Sequence, residues 1–328
     1  MALVESFTVS ELTPGTGVEH GGCFSWSVQS PENTNREAHL ESFLDPVPAL
    51  RSSLVIGCLI ASSALAGTAF ADDLPYYLED RGTGVSTSLF GTYVRDGEIL
   101  VYPFYEYTSN KDQEYAPEDL GFVGTQDYRG KNTEHEALLF VSYGISENVA
   151  VEVESALWTT ATQHKAPDDP SAAPSEFTES GFGDTQAELR WRWWKETDKR
   201  PELWSYFETV FPFQKHRKII GTQDWELIQG LGLTRGFHFG TLTARASVEY
   251  QSDEGKVAFG EYALEYLKRL SPRWRTVLAV EGEEDEVAGI VEIQRQVARN
   301  ALLKVNNGFG LTSKAPELAP EVGIAFTW

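Results

Sequence analysis

Residues 183–194 read GDTQAELRWRWW. Asp184, Gln186, Glu188, Arg190 and Arg192 take every second position, and Thr185, Ala187, Leu189, Trp191 and Trp193 fill the places between. Successive side chains of a β-strand point to opposite faces, so as a strand this segment has one charged face and one apolar face closing on tryptophans. A half-buried strand of a soluble sheet also alternates, but its polar face is usually mixed and short. Strict alternation over this length predicts a wall with water on one side and lipid on the other.

The same pattern recurs on both sides of that stretch. It covers residues 98–107, 135–145, 149–159, 203–213, 225–233, 241–251, 261–267, 274–283, 290–297, 302–312 and 320–328, roughly twelve segments in all. In one, Val149, Val151, Val153 and Leu157 oppose Glu152 and Glu154; in another, Leu242, Ala244, Ala246, Val248 and Tyr250 oppose Arg245 and Glu249. Connections at 144–148, 195–201, 234–240, 268–273 and 298–300 are short, whereas 109–134 and 160–183 are long. Short turns on one rim and long loops on the other predict an all-β fold, a transmembrane antiparallel up-and-down β-barrel of about 12 strands over residues 72–328. An even strand number puts both barrel ends on the short-turn, periplasmic side of a Gram-negative outer membrane. Gln229 and Arg295 resist, because each falls on an apolar face; a bulge, a register shift or a position near the interface would accommodate them.

The leader is a separate signal. Residues 51–71 read RSSLVIGCLIASSALAGTAFA: one arginine, an apolar run, then Ala69-Phe70-Ala71 before Asp72. This predicts a secretory signal peptide over residues 50–71 with an A-x-A cleavage site. Residues 1–49 are polar and aperiodic, and are expected to be a spurious or disordered extension, with translation starting at a non-AUG codon read here as Leu50 or Val47. Val55-Ile56-Gly57-Cys58 also fits a lipoprotein box, although few apolar residues precede the cysteine. The two cysteines are Cys23 and Cys58, so no disulfide or cysteine-based metal site is available to the barrel.

With 27 Lys and Arg against 49 Asp and Glu, the formal charge is −22. That opposes nucleic-acid binding, which needs clustered bases. No apolar run of about 18 residues offers a membrane helix. His135, His164, His216 and His238 lie at a strand start or in loops, and no G-x-S-x-G or H-E-x-x-H motif accompanies them, so neither an enzyme nor a cofactor is expected. The acidic run 283–286 is either a divalent-cation holder or a solvated tip. The basic knot 215–218 is either a contact for the phosphates of lipopolysaccharide or solvated loop charge.

The closing EVGIAFTW puts Val322, Ile324, Phe326 and Trp328 on one face and ends on an aromatic, the pattern of the C-terminal signal read by the barrel-assembly machinery. SGFGDTQAEL (180–189), LGLTRGFHFGTLT (231–243) and FGLTSKAPELAPEVGIAF (309–326) are similar to the proteobacterial outer-membrane proteins of the phenol-degradation meta-pathway, or outer-membrane transporter, type. The resemblance implies a barrel of about this size that takes up small organic solutes; it assigns no functional residues. The expected partners are outer-membrane lipid and lipopolysaccharide, the assembly machinery and a small solute.

About twelve strands leave a narrow or partly occluded lumen, because about eight are filled by side chains and 16–18 leave an open channel. The inward face is acidic, and in so narrow a space some acids must bridge to bases. The expected charge network is Glu152, Glu154, Glu188, Arg190, Arg192, Glu208, Arg245 and Glu249, with an acid excess that favours neutral or cationic solutes. N-terminal sequencing of cell-made protein is expected to begin at Asp72; peptides from residues 1–49 in cells would contradict the proposed start.

Overall fold

The computed structural model describes residues 74–252, 255–283 and 286–328. The expected extension, the signal peptide, both cysteines, Glu284 and Asp285 lie outside the described residues. A 3-10 turn (Tyr76–Leu78) and a small hairpin of β1 (Val85–Ser86) and β2 (Tyr93–Val94) come first. The wall follows: β3 (Ile99–Tyr115), β4 (Tyr128–Ser146), β5 (Val149–His164), β6 (Glu176–Gly181), β7 (Thr185–Trp194), β8 (Glu202–Val210), β9 (Glu226–Phe237), β10 (Gly240–Gln251), β11 (Lys256–Ser271), β12 (Trp274–Glu283), β13 (Glu286–Ala298), β14 (Ala301–Gly310) and β15 (Ala319–Thr327).

Each wall strand pairs antiparallel with the next along the chain, except β6 with β7, and β15 returns to β3. β6 and β7 both lie against β5, one along its far end and one along its near end, so the thirteen strands make twelve wall positions. The result is a closed antiparallel up-and-down barrel. Closure satisfies the edge hydrogen bonds that an open sheet would leave facing lipid. Trp328 completes the seam: its backbone N–H donates to Ile99 O and its carbonyl accepts from Ile99 N, both at 3.0 Å.

The two faces follow the alternation. Val153, Leu157, Leu189, Phe207, Leu231, Leu264, Leu278 and Val291 are exposed on the outside, a continuous apolar surface that suits lipid rather than water. Aromatics ring its short-turn end. Trp191 and Trp193 stack at 5.5 Å, Trp193 Nε1 donates to Ser205 Oγ at 3.0 Å, and Trp194 Nε1 donates to Pro201 O at 3.0 Å. Such rings bury an apolar body and keep a polar tip bonded, as the membrane interface requires.

Both resisting positions face outward in unbroken register. Gln229 conceals its amide by donating from Nε2 to Tyr206 O at 2.6 Å. Arg295 stands opposite Trp274 near the turn, its guanidinium 5.1 Å from that ring, where a long side chain reaches water. The expected long loops differ more. β3 and β4 run on to Tyr115 and back from Tyr128, and β5 pairs with β6 as far as His164 and Glu176. There the outer face is polar, as in the Thr160–Ser180 and Thr162–Thr178 contacts, so the ladder continues without an apolar outer period to show it.

On β15, Val322, Ile324, Phe326 and Trp328 share the outer face, whereas Ala325 is buried inside and Thr327 lines the interior. Trp328→Asp is expected to reduce membrane insertion sharply, and Thr327→Asp to change it little. Fractionation and a heat-modifiability gel would measure both; equal outcomes would contradict this facing.

Candidate functional site

Residues 79–97 carry no strand alternation, and the fold uses them inside the barrel. The segment comes in from the short-turn rim, where Asp80 accepts Arg269 N at 2.8 Å and pairs with Lys268 at 3.2 Å. β1 and β2 then form a hairpin whose turn is fixed by Thr87 N donating to Thr92 O at 3.0 Å and Thr92 Oγ1 donating to Leu89 O at 2.6 Å. Its tip reaches across the lumen. Ser88 N and Oγ donate to Glu152 Oε2 on β5 at 2.9 and 2.8 Å. On other walls, Gln294 Nε2 and Lys304 Nζ donate to Phe90 O at 3.1 and 3.3 Å, and the Arg245 guanidinium lies 5.5 Å from the Phe90 ring. Leu89 packs on the inward cluster around Leu100, Tyr102 and Phe140. A segment touching β5, β10, β13 and β14 at one level is a plug. Gly91 makes the fit possible: its φ is +65°, and a Cβ there would lie 2.9 Å from Gln294 Nε2 and 3.0 Å from Val277 Cγ2.

Ion pairs hold this level together. Arg190 lies between Glu188, which its Nε and Nη2 both meet, and Glu152, 3.6 Å from Nε. Its guanidinium covers the Trp204 ring at 4.7 Å, and Nη1 donates to Ser86 O of the plug at 3.4 Å. Arg81 of the plug bridges Glu196 at 3.1 Å and Glu202 at 3.0 Å, and Arg192 shares Glu202 at 3.3 Å while donating to the plug's Gly84 O. Lys304 pairs with Glu292 at 3.3 Å. None of these charged side chains is more than 5% exposed. Gly232 lets the neighbouring Trp204 lie flat across β9, since a Cβ would come within 2.1 Å of that ring.

Of the residues expected to form the network, the structure brings Glu152, Glu188 and Arg190 together. Arg192 turns instead to Glu202 and the plug. Arg245 pairs with Glu261 at 3.4 Å and Glu281 at 3.6 Å, on the next two strands. Glu208 stands directly opposite Glu188, and Glu249 accepts Gln251 Nε2 at 2.7 Å; neither these two nor Glu154 makes an ion pair among the described residues. Arg81, Glu196 and Glu202 escaped sequence reasoning: the first precedes the alternating region, and the other two lie at a turn. The one available sign was the stretch from Asp72 to Glu98, longer than a strand lead-in requires.

Toward the long loops the lumen changes character. Glu292, Asn306, Glu321, Glu106 and Glu136 are successive register partners across β13, β14, β15, β3 and β4. Tyr102 OH donates to Glu321, and Thr159 Oγ1 donates to Glu136 at 2.6 Å. Glu106, Glu136, Glu154 and Glu321 have no ion-pair partner among the described residues, and neither has Glu208 in the row of Glu188 and Glu152. Above the plug, then, the lining is acidic; at the plug most of the acids are ion-paired, Glu208 and Glu265 being exceptions.

No protein-family model matches the chain, and no curated protein matches it. Among solved structures, the COG4313 outer membrane channel from Pseudomonas putida F1 is similar at a TM-score of 0.51 and 11% identity, over 72% of this chain and 97% of that one. The KdgM porin is similar at 0.44 and 8%, over 70% and 99%. A deletion mutant of the TodX monoaromatic hydrocarbon channel is similar at 0.35 and 10%, over 71% and 90%. At 11% identity the likeness to the first of these is one of fold.

Arg190→Gln leaves two buried carboxylates without their base, so a loss of about 3–5 kcal/mol is expected. Glu154→Gln removes a carboxylate without a base and is expected to cost far less. Urea unfolding followed by the gel shift would compare them, and equal losses would contradict the ion-pair assignment.

Proposed function

We propose that the protein is an outer-membrane channel or transporter for small neutral or cationic solutes, aromatic ones among them, held closed by its own N-terminal segment. The observation that carries this reading is the two-level lumen: unpaired carboxylates toward the long loops and an ion-paired plug toward the short turns. Like charges placed directly opposite each other in a sheet are destabilising, so Glu321, Glu106 and Glu136 in one register row oppose stability. A field that attracts cations and repels anions accounts for keeping them. Tyr102, Phe104, Phe140, Trp204 and Tyr206 are buried inward rings that, on this reading, meet an aromatic solute once the plug withdraws, in keeping with the resemblance to the phenol-degradation type.

On this reading residues 50–71 are cleaved on export, the short turns face the periplasm, and the face of Val322, Ile324, Phe326 and Trp328 addresses the assembly machinery. The knot at 215–218 lies on the outer loops within reach of lipopolysaccharide. The part played is transport, not catalysis. A second reading, a structural or envelope-interaction barrel, is favoured by the near-complete burial of the plug's ion pairs.

The wild type and a variant lacking residues 80–94, both shown folded by the gel shift, would be compared in planar bilayers under a KCl gradient. The deletion is expected to conduct more and to select potassium. Chloride selectivity would overturn the acidic-lumen reading, and no conductance in either protein would favour the structural barrel.

A further inference from the structure

Between the plug and the periplasmic ends of β12 to β15 and β3 lies a cavity of about 440 Å3. That is within the range of about 300–1,000 Å3 usual for small-molecule sites. Its charged lining runs against the rest of the chain: Arg81, Arg95, Arg275 and Arg299 face it, with Glu98 as the one acid. Glu98 is already taken by Arg95 at 2.7 Å, and Arg81 by Glu196 and Glu202. Arg275 is half-buried on the cavity wall and, among the described residues, makes no hydrogen bond or ion pair; Tyr93, Glu265 and Glu292 act on it only from farther off. Arg299 stands exposed at the mouth with its guanidinium equally unengaged. A partly buried guanidinium that no carboxylate meets directly keeps its donors free for an anion.

The rest of the wall narrows the chemistry. Leu100, Leu302 and Ala325 supply an apolar side next to the guanidinium groups. A planar guanidinium matches a carboxylate through two parallel hydrogen bonds, and the apolar side accepts a hydrocarbon body. We propose that this cavity binds a small organic carboxylate entering from the periplasm, with Arg275 and Arg299 holding the carboxylate. Plug and barrel both line the site, so occupancy bridges them. The inference stands apart from solute passage, because the plug separates this cavity from the acidic half of the lumen.

Benzoate is a suitable probe, with benzyl alcohol and inorganic phosphate as controls for charge and for body. Titration calorimetry on the detergent-solubilised full chain is expected to show saturable benzoate binding, and weaker or no binding of either control. Arg275→Gln should weaken benzoate binding by about tenfold or more, the loss expected for a charge-assisted pair. Arg295→Gln, an outward arginine in the same region, should leave it unchanged. Unaltered benzoate affinity in a folded Arg275→Gln/Arg299→Gln double variant would overturn the site. Phosphate binding as tight as benzoate would overturn the carboxylate assignment, and no benzoate binding to the wild type would overturn both.

Discussion

A strand that separates lipid from water must satisfy every backbone donor and acceptor within the sheet, because the hydrocarbon core offers none. Everything else in this structure follows from meeting that constraint with twelve wall positions. The wall closes through β15 and β3, and the last residue, Trp328, supplies the final pair of backbone bonds to Ile99. Closure turns half of each strand inward, and the alternation that serves lipid outside loads the inside with charge. The circumference then leaves a lumen too narrow to solvate those charges like bulk water, yet too wide for side chains alone to fill.

The chain meets this second problem with its own N-terminal segment. Charges removed from water are costly unless paired and hydrogen-bonded. At the plug level Arg81, Arg190, Arg192 and Lys304 each lie within ion-pair distance of a buried carboxylate. Arg190 is held by two carboxylates, the Trp204 face and a plug carbonyl, and Glu152 accepts from Ser88, Ser142 and Arg190. The plug is therefore part of the wall's electrostatics and not a lodger in its lumen. Its many contacts are individually ordinary hydrogen bonds to carbonyls or ion pairs, and they are shared with wall residues that would otherwise be orphaned. Such a segment can leave only if water replaces those partners, which couples opening to hydration of the lumen. Above the plug, Glu106, Glu136, Glu154 and Glu321 have no ion-pair partner among the described residues, and the lining keeps its acid excess.

The barrel was legible because lipid imposes one unbroken rule, apolar outward at every second residue, on each spanning stretch. The rule even held where it seemed to fail: Gln229 and Arg295 do face outward, accommodated by a backbone acceptor and by Trp274. It lapsed above the membrane, where β5 and β6 go on pairing through Thr160 and Ser180 with no apolar outer face. The site was legible only where partners sit on neighbouring strands, as with Glu152, Glu188 and Arg190. Arg245 and Glu249 were grouped from sequence, but four residues along one strand is roughly 13 Å, beyond ion-pair reach. Arg245 finds Glu261 and Glu281 across the ladder instead. The plug was legible only as an overlong lead-in, because its bonds join residues far apart in the chain, 64 positions from Ser88 to Glu152 and 104 from Ser86 to Arg190, and no local period encodes them.

The central claim is that residues 80–94 occupy the lumen of the folded barrel and keep it closed. Val85 and Ala150 pack together in one buried cluster, and the described chain has no native cysteine to compete with an engineered pair. Single-channel recording on a Val85→Cys/Ala150→Cys variant, oxidised and then reduced in the same membrane, tests the claim most directly. A disulfide that forms readily, silences the channel and releases openings on reduction is the expected result. Failure of the pair to cross-link in folded protein, or identical conductance in the two redox states, would contradict it.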